Sequence, residues 1–457
     1  MNIFKTSFPI NFNKTKNTYF SNNSKLFGNV TVPGDKSISQ RSLIISLISV
    51  GTTTVKDILD SEDVFHTLKA IEELGAKIKK VDTSLEIKGV GLGNLLSPKK
   101  PIYMGNSGTG TRLLLGLVAG SNACVTFYGD ASLSSRPMER IITPLEEMGA
   151  TIISAENKKL PITVIGARTK GFVLPINYKL LIPSAQVKSA ILLAAVSARG
   201  TSFITEYEKT RNYTESMLKQ RGVYVTQKKI NTNKSIISLD GASVIKSKNI
   251  TIPGDPSSAV FMAVAALITK KSSITIKNVL NDKFRLSVFR VLKQMGARIS
   301  FLEKKNNTCD ITIKSSTLKS IIIKSNKSSS LIDEYPILSI AAASAKGETI
   351  MEGLGELRFK ESDRFKAIID GLSKCGVFIK GYKDTILIKG MKKIPGGCFI
   401  NALNDHRIAM SFNVLNLIAE KPILISGNKS IMTSFPNFFN CLISLGAISL
   451  SYDRRKN

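Results

Sequence analysis

Lys360 and Arg364 stand four residues apart in ELRFKESDR, residues Glu356–Arg364, with Glu361 lodged between them. On a helix, residues at that spacing share a face. Two cations could then hold one anion while the carboxylate moves a proton, although an ordinary charged surface helix would read the same way. Asp333, just ahead of the apolar run PILSIAAASA, is either a helix cap or a base. Asp405, His406 and Arg407 in NDHRIAM carry the same two readings. Nearer the start, PGDKSISQR sets Lys36 at the mouth of a helix, with Ser37 and Arg41 sharing a face behind it. In GNSGTGTR, Gly108 and Gly110 allow the backbone to approach a ligand, and Asn106 is placed to cap. SLSSRPMER and PSAQVKSA add further small polar and basic residues. The shared chemistry is anion binding beside carboxylates that can transfer protons.

These segments need elements to position them, and the chain supplies a repeat. AIEELGAKI, PLEEMGATI, MLKQRGVYV, VLKQMGARI, LSKCGVFI and LISLGAISL each join an amphipathic helix to a strand through a glycine. Those glycines, Gly75, Gly149, Gly222, Gly296, Gly376 and Gly446, are separated by 74, 73, 74, 80 and 70 residues, a period that marks one supersecondary unit used six times. A glycine there suits a left-handed helix C-cap. Between them run six more apolar helices, among them RLLLGLVAG and AVFMAVAAL, expected to be buried because they are hydrophobic on most faces. Their first turns carry the polar segments above, so positive helix ends and unpaired N–H groups should gather where anions bind.

The 457 residues exceed the roughly 250–300 at which single cores stop growing, so two lobes of three units are expected. IPGDPSS near Ile252 echoes VPGDKSI at Val32–Ile38, and these two segments are expected to carry the chain between lobes as hinges. The boundaries are then an N-terminal extension over residues 1–25, expected to be flexible; one lobe of residues 26–33 and 254–457; and a second lobe of residues 34–253. The class is α/β.

Composition excludes several functions. Lys and Arg number 64 against 34 Asp and Glu, a balance of +30, but the lysines are dispersed, aromatics are 7% and there is no Trp. That pattern argues against a nucleic-acid surface and for welcome given to small anions. Five scattered cysteines without a C-x-x-C pair, and only His66 and His406, argue against a disulfide framework and against a metal. The most apolar stretches fall short of the ~20 residues needed to span a bilayer. A cytoplasmic enzyme that works as a monomer without cofactor, nucleic acid or membrane is the expectation.

Together PGDKSISQR, GNSGTGTR, SLSSRPM, PSAQVKSA, LIDEYP, RFKESDR, NDHRIAM and TSFPNF closely resemble the 5-enolpyruvylshikimate-3-phosphate synthases, from about Gly28 to the C-terminus. The resemblance implies a two-lobed inside-out α/β barrel, each lobe three βαβαββ units. It implies transfer of the enolpyruvyl group of phosphoenolpyruvate to the 5-hydroxyl of shikimate 3-phosphate, with release of phosphate, in the shikimate pathway to aromatic amino acids. By the same resemblance Lys36, Gly108, Arg136, Gln186, Arg364 and Arg407 bind phosphoenolpyruvate. Lys36, Ser37, Arg41, Ser184, Ala185, Gln186, Arg211, Asp333 and Lys360 bind shikimate 3-phosphate. Asp333 takes the hydroxyl proton, Glu361 protonates the methylene carbon, Lys36 lies close to both events, and Asn106, Asp405 and His406 support. With Gly108 unsubstituted, sensitivity to glyphosate is implied.

The chain departs from the family pattern at two places. Thr433, before Ser434, Phe435 and Pro436, stands where many members carry a Lys, and Glu356 stands where some have an Asn. Two rival readings are the sister enolpyruvyl transferase that acts on UDP-N-acetylglucosamine and a basic nucleic-acid-binding protein on the same fold. The first requires a Cys in the loop before Arg136, and GDASLSSR has none. The second would show steeply salt-dependent DNA binding.

Overall fold

The computed structural model describes residues 18–231 and 234–451. Two compact units emerge, one formed by Lys36–Ile252 and the other by residues 18–35 and 253–451. The chain changes unit between Asp35 and Lys36 and again between Ile252 and Pro253, inside the two Pro-Gly-Asp echoes.

The first unit is built on three helices, Lys36–Leu47, Gly108–Ala119 and Ala185–Ala195, whose residues are buried around most of their circumference. In the second and third, burial on all sides follows from a sequence without a polar stripe. Helix packing is close: a Cβ on Gly116 would lie 2.2 Å from the Ala190 carbonyl oxygen, so only glycine fits there. Three amphipathic helices, Glu62–Glu73, Glu139–Glu147 and Tyr213–Lys219, bury one face each. Three four-stranded sheets complete the unit. In two of them a parallel pair brackets a buried helix, and in all three an antiparallel hairpin follows the amphipathic helix, as with Ile102–Tyr103 beside Cys124–Tyr128 and Thr151–Ala155 beside Lys159–Ile165. Buried and exposed residues alternate along strands such as Thr52–Lys56, as expected when one sheet face meets the core and the other meets water.

The second unit repeats the plan with buried helices Pro256–Ile268, Tyr335–Ala343 and His406–Asn416, which pack on one another, and covering helices Ser287–Gln294, Arg364–Lys374 and Phe438–Ser444. The strands beside the two echoes are exchanged. Phe27–Thr31, which leads into the Lys36–Leu47 helix, pairs with Ser273–Leu280 in the second unit, while Ile250–Thr251, which leads into the Pro256–Ile268 helix, pairs with Thr52–Lys56 in the first.

The sixth repeat is the least regular. Its parallel pair is broken into Ile394–Gly396 beside Ala419–Lys421 and Phe399–Asn401 beside Leu424–Ser426, where Gly396 and Gly397 both take positive φ. Its last strand, Ser449–Ser451, finds its antiparallel partner at the opposite end of the chain, in Thr18–Phe20. Of the extension expected over residues 1–25, residues 1–17 therefore lie outside the described residues. Residues 18–25 join the fold: Phe20 is 2% exposed, and Ser24 is buried with its backbone N–H bonded to Ser21.

All five cysteines are free, with the Cys375 and Cys398 sulfurs 3.5 Å apart. Among the described residues no helix is long and apolar enough to cross a membrane.

Candidate active site

In the first unit the polar residues gather at the entrances of the buried helices. Lys36 opens the Lys36–Leu47 helix and forms an ion pair with Asp63, in the first turn of the Glu62–Glu73 helix. Behind it Arg41 is buried and fully oriented. Its Nε donates to Thr214 Oγ1 at 2.9 Å, one terminal nitrogen donates to the Ser37 carbonyl at 3.0 Å, and the other donates to Ser189 Oγ at 2.8 Å. Arg211 reaches the same corner and donates to Ser37 Oγ at 3.4 Å. Ser184 caps the third helix by accepting from the Val187 N–H at 3.3 Å, which leaves Ala185 and Gln186 in its first turn. Gln186 accepts from Arg112 at 2.6 Å and donates to Thr109 Oγ1 at 2.8 Å, tying the second and third helices together at their mouths.

Arg136 and Gly108 form the center of this half. A Cβ on Gly108 would meet the Arg136 guanidinium at 2.7 Å, so the glycine makes room for the cation. Arg136 is only 7% exposed and bonds Asn106 and Ser132, yet its Nε has no hydrogen-bond partner and no carboxylate pairs with it among the described residues. Asn106 does not cap the helix as the sequence suggested. Ser107 holds the N-cap position, and Asn106 donates to Asp130 at 2.8 Å while accepting from Arg136. A buried cation without a counter-ion is costly, and an anionic ligand would offset that cost.

In the second unit the segments LIDEYP, RFKESDR and NDHRIAM converge. Asp333 does not cap the following helix, whose N-cap position is Glu334. Its Oδ1 lies 3.4 Å from both Lys360 Nζ and Arg364. Arg364 is wholly buried and donates to Asp405 Oδ2 at 2.7 Å and Glu361 Oε2 at 2.5 Å. Those carboxylates push the guanidinium's pKa above its ordinary value despite burial, so it is permanently charged. Asp405 caps the His406–Asn416 helix through the Arg407 N–H at 2.9 Å, and the Arg407 side chain donates to the Asp333 carbonyl at 2.7 Å. His406 is buried, and its Nδ1 faces Thr433 Oγ1 at 3.5 Å. Thr433, which stands in place of the expected cation, also donates to the Ser430 carbonyl, so its hydroxyl is engaged within its own turn. Glu356 is exposed on the short turn Gly355–Phe359.

The site residues picked out in the sequence thus fall into two sets, one on each unit, and each set is brought together within its own unit. Sequence reasoning passed over Asp63, Arg112, Lys188 and Glu334. Arg112 lay inside a segment already recognised, four residues after Gly108, and that spacing was the available signal. Lys188 is completely buried between Glu206 at 2.9 Å and Glu215 at 2.8 Å, an arrangement no local pattern announces. Among the described residues no cluster of His, Cys, Asp and Glu is placed to hold a metal ion.

Residues 20–442 match the family model described as EPSP synthase (3-phosphoshikimate 1-carboxyvinyltransferase). The 3-phosphoshikimate 1-carboxyvinyltransferase of Parvibaculum lavamentivorans is 43% identical, over 92% of this chain and 94% of its own. That of a Chelativorans species is also 43% identical, over 92% and 95%. Among solved structures, the EPSP synthase of Acinetobacter baumannii superposes with a TM-score of 0.82 at 39% identity, covering 95% of this chain and 99% of that one.

Proposed function

The chain belongs to the EPSP synthase family, and from that membership we infer that it transfers the enolpyruvyl group of phosphoenolpyruvate to the 5-hydroxyl of shikimate 3-phosphate, releasing phosphate. It is a transferase of the shikimate pathway acting on small molecules. The observation that best supports this reading is Arg136, a buried guanidinium with a spare N–H beside the gap left by Gly108.

The residue roles are our proposal. Both substrates carry a phosphate of about −1.5 to −2 charge at neutral pH and a carboxylate, so each must meet several cations. Lys36, Gly108, Arg136 and Gln186 on the first unit, with Arg364 and Arg407 on the second, take phosphoenolpyruvate. Lys36, Ser37, Arg41, Ser184, Ala185, Gln186 and Arg211, with Asp333 and Lys360, take shikimate 3-phosphate. Asp333 accepts the proton of the attacking hydroxyl, and Glu361 delivers a proton to the methylene carbon while the ether bond forms. The tetrahedral adduct then loses phosphate as a proton leaves the methyl group, and the arginines stabilise the departing anion. Asn106, Asp405 and His406 hold these groups in place.

We further propose that the protein acts as a monomer in the cytoplasm, where five unpaired thiols would persist, without binding nucleic acid or membrane. The deciding assay is phosphate release that requires both substrates together; release from phosphoenolpyruvate alone would reject the reading. Glyphosate at millimolar concentration should inhibit in competition with phosphoenolpyruvate.

A further inference from the structure

The two Pro-Gly-Asp segments at which the chain changes unit are bonded to each other. The Asp35 N–H donates to the Pro253 carbonyl at 2.8 Å, and the Asp255 N–H donates to the Pro33 carbonyl at 2.9 Å. One buried side chain then spans both: Arg285 donates to Asp35 Oδ2 at 2.8 Å and to Asp255 Oδ1 at 2.6 Å. The nitrogen that meets Asp255 also donates to Ser257 Oγ at 2.8 Å. A hydroxyl oxygen that accepts from a guanidinium turns its own proton elsewhere, and Ser257 donates to Glu334 Oε1 at 2.5 Å. That same carboxylate oxygen forms a long ion pair with the Arg407 guanidinium at 3.8 Å, beyond hydrogen-bond distance, while Arg407 donates to the Asp333 carbonyl.

We propose that Arg285 is a positioning residue for the reaction: through the Ser257 hydroxyl it holds Glu334 back from Arg407 and so leaves Arg407 available to the anionic substrate. Glu334 and the substrate are rival anions for one guanidinium. With Ser257 directing a proton at Glu334, the carboxylate is satisfied where it stands. Without that proton, closing the gap to Arg407 becomes the carboxylate's best remaining interaction, and Arg407 is drawn from its substrate. The arrangement also places the residue before Lys36 and the capping residue of the Pro256–Ile268 helix under the same guanidinium. The inference rests on Arg407 as a phosphoenolpyruvate ligand.

Steady-state kinetics of the full chain test it. Ser257→Ala removes the relay and spares both ion pairs of Arg285. It should raise KM for phosphoenolpyruvate about fivefold or more with kcat within about twofold, and Glu334→Gln added to it should return KM to within about twofold of the parent. Arg285→Lys keeps a charge for the two aspartates but lacks the fork; it should give the same rise in KM and the same recovery with Glu334→Gln. An unchanged KM in Ser257→Ala, or a rise that Glu334→Gln does not reverse, overturns the proposal, because general loosening of the core would not be cured by neutralising one carboxylate. Arg407→Lys, measured alongside, separates the two levels. If it raises KM while Ser257→Ala does not, the relay fails and the site assignment stands; if it leaves KM unchanged, the assignment fails and the relay with it.

Discussion

Arg364 and Asp405 form an ion pair in which neither side chain is more than 1% exposed, Nε to Oδ2 at 2.7 Å, and the same carboxylate caps the helix that begins at His406. One aspartate thus fixes two of the arginines assigned to the site, Arg364 through its side chain and Arg407 through its backbone.

Asp405→Asn keeps the cap, since Asn caps as well as Asp, and removes only the charge. Breaking a buried pair typically costs ~3–5 kcal/mol. Arg364 retains Glu361 and Asp333, so the lower end of that range is expected, read as a shift of the denaturant midpoint at constant slope.

Gly108→Ala places a methyl group where the Arg136 guanidinium lies, 2.7 Å away. The far end of a flexible side chain can yield, so the fold should survive and Arg136 should move. KM for phosphoenolpyruvate is expected to rise roughly tenfold with a smaller change in kcat, and glyphosate should weaken in parallel. An unaltered KM would remove Arg136 from the site.

Lys36→Met should reduce kcat by roughly 10³-fold. It also strands Asp63, which is 4% exposed and already has one carboxylate oxygen without a hydrogen-bond partner. The single variant should therefore be less stable than the parent. Asp63→Asn added to it should restore stability without restoring turnover, which separates the chemistry of the lysine from its ion pair.

The repeat was legible because its signal is local. All six glycines read as helix caps have positive φ, from Gly376 at 84° to Gly75 at 111°, a conformation that glycine alone adopts without penalty. The buried helices were equally plain, since a helix apolar on all sides has no solvent face to present. The irregular sixth repeat was not legible, because its closing strand comes from the chain's other end and no periodicity records that. Arg285, Lys188 and Asp63 were hidden for another reason: a charged residue that will be buried against a distant partner is spelled the same as one that faces water. Asn106 and Asp333 were assigned as possible caps from type and position, whereas hydrogen bonding to nearby side chains drew both away.

His66 offers a pH test. Burial lowers its pKa, with Asp63 and Asp130 opposing the shift. A lowered pKa means that the folded state prefers the neutral ring, so this contribution to stability is present above the ordinary histidine value near 6.5 and is lost as pH falls through the folded value. The unfolding midpoint should drop between pH 7 and pH 5, and His66→Gln should make that drop shallower.

The thiols should differ in reactivity. Burial raises Cys309 to about 11 and Cys441 to about 12. The hydrogen bond between the Cys375 and Cys398 sulfurs raises Cys375 as well and lowers Cys398. Since the thiolate is the nucleophile, iodoacetamide at pH 7.5 should label Cys398 and the exposed Cys124 and spare the other three until the protein unfolds. Peptide mass mapping reads the outcome.

The pairing of Thr18–Phe20 with Ser449–Ser451 bears on how the protein is made. A ribosome delivers every residue of the Lys36–Ile252 unit as one uninterrupted run, so that unit can mature while synthesis continues. The other unit waits: its Thr18–Phe20 strand leaves the exit tunnel with an open edge and a bare Phe20, and its match, Ser449–Ser451, is translated only after the whole Lys36–Ile252 unit. During that interval the Thr18–Phe20 strand has no partner to pair with.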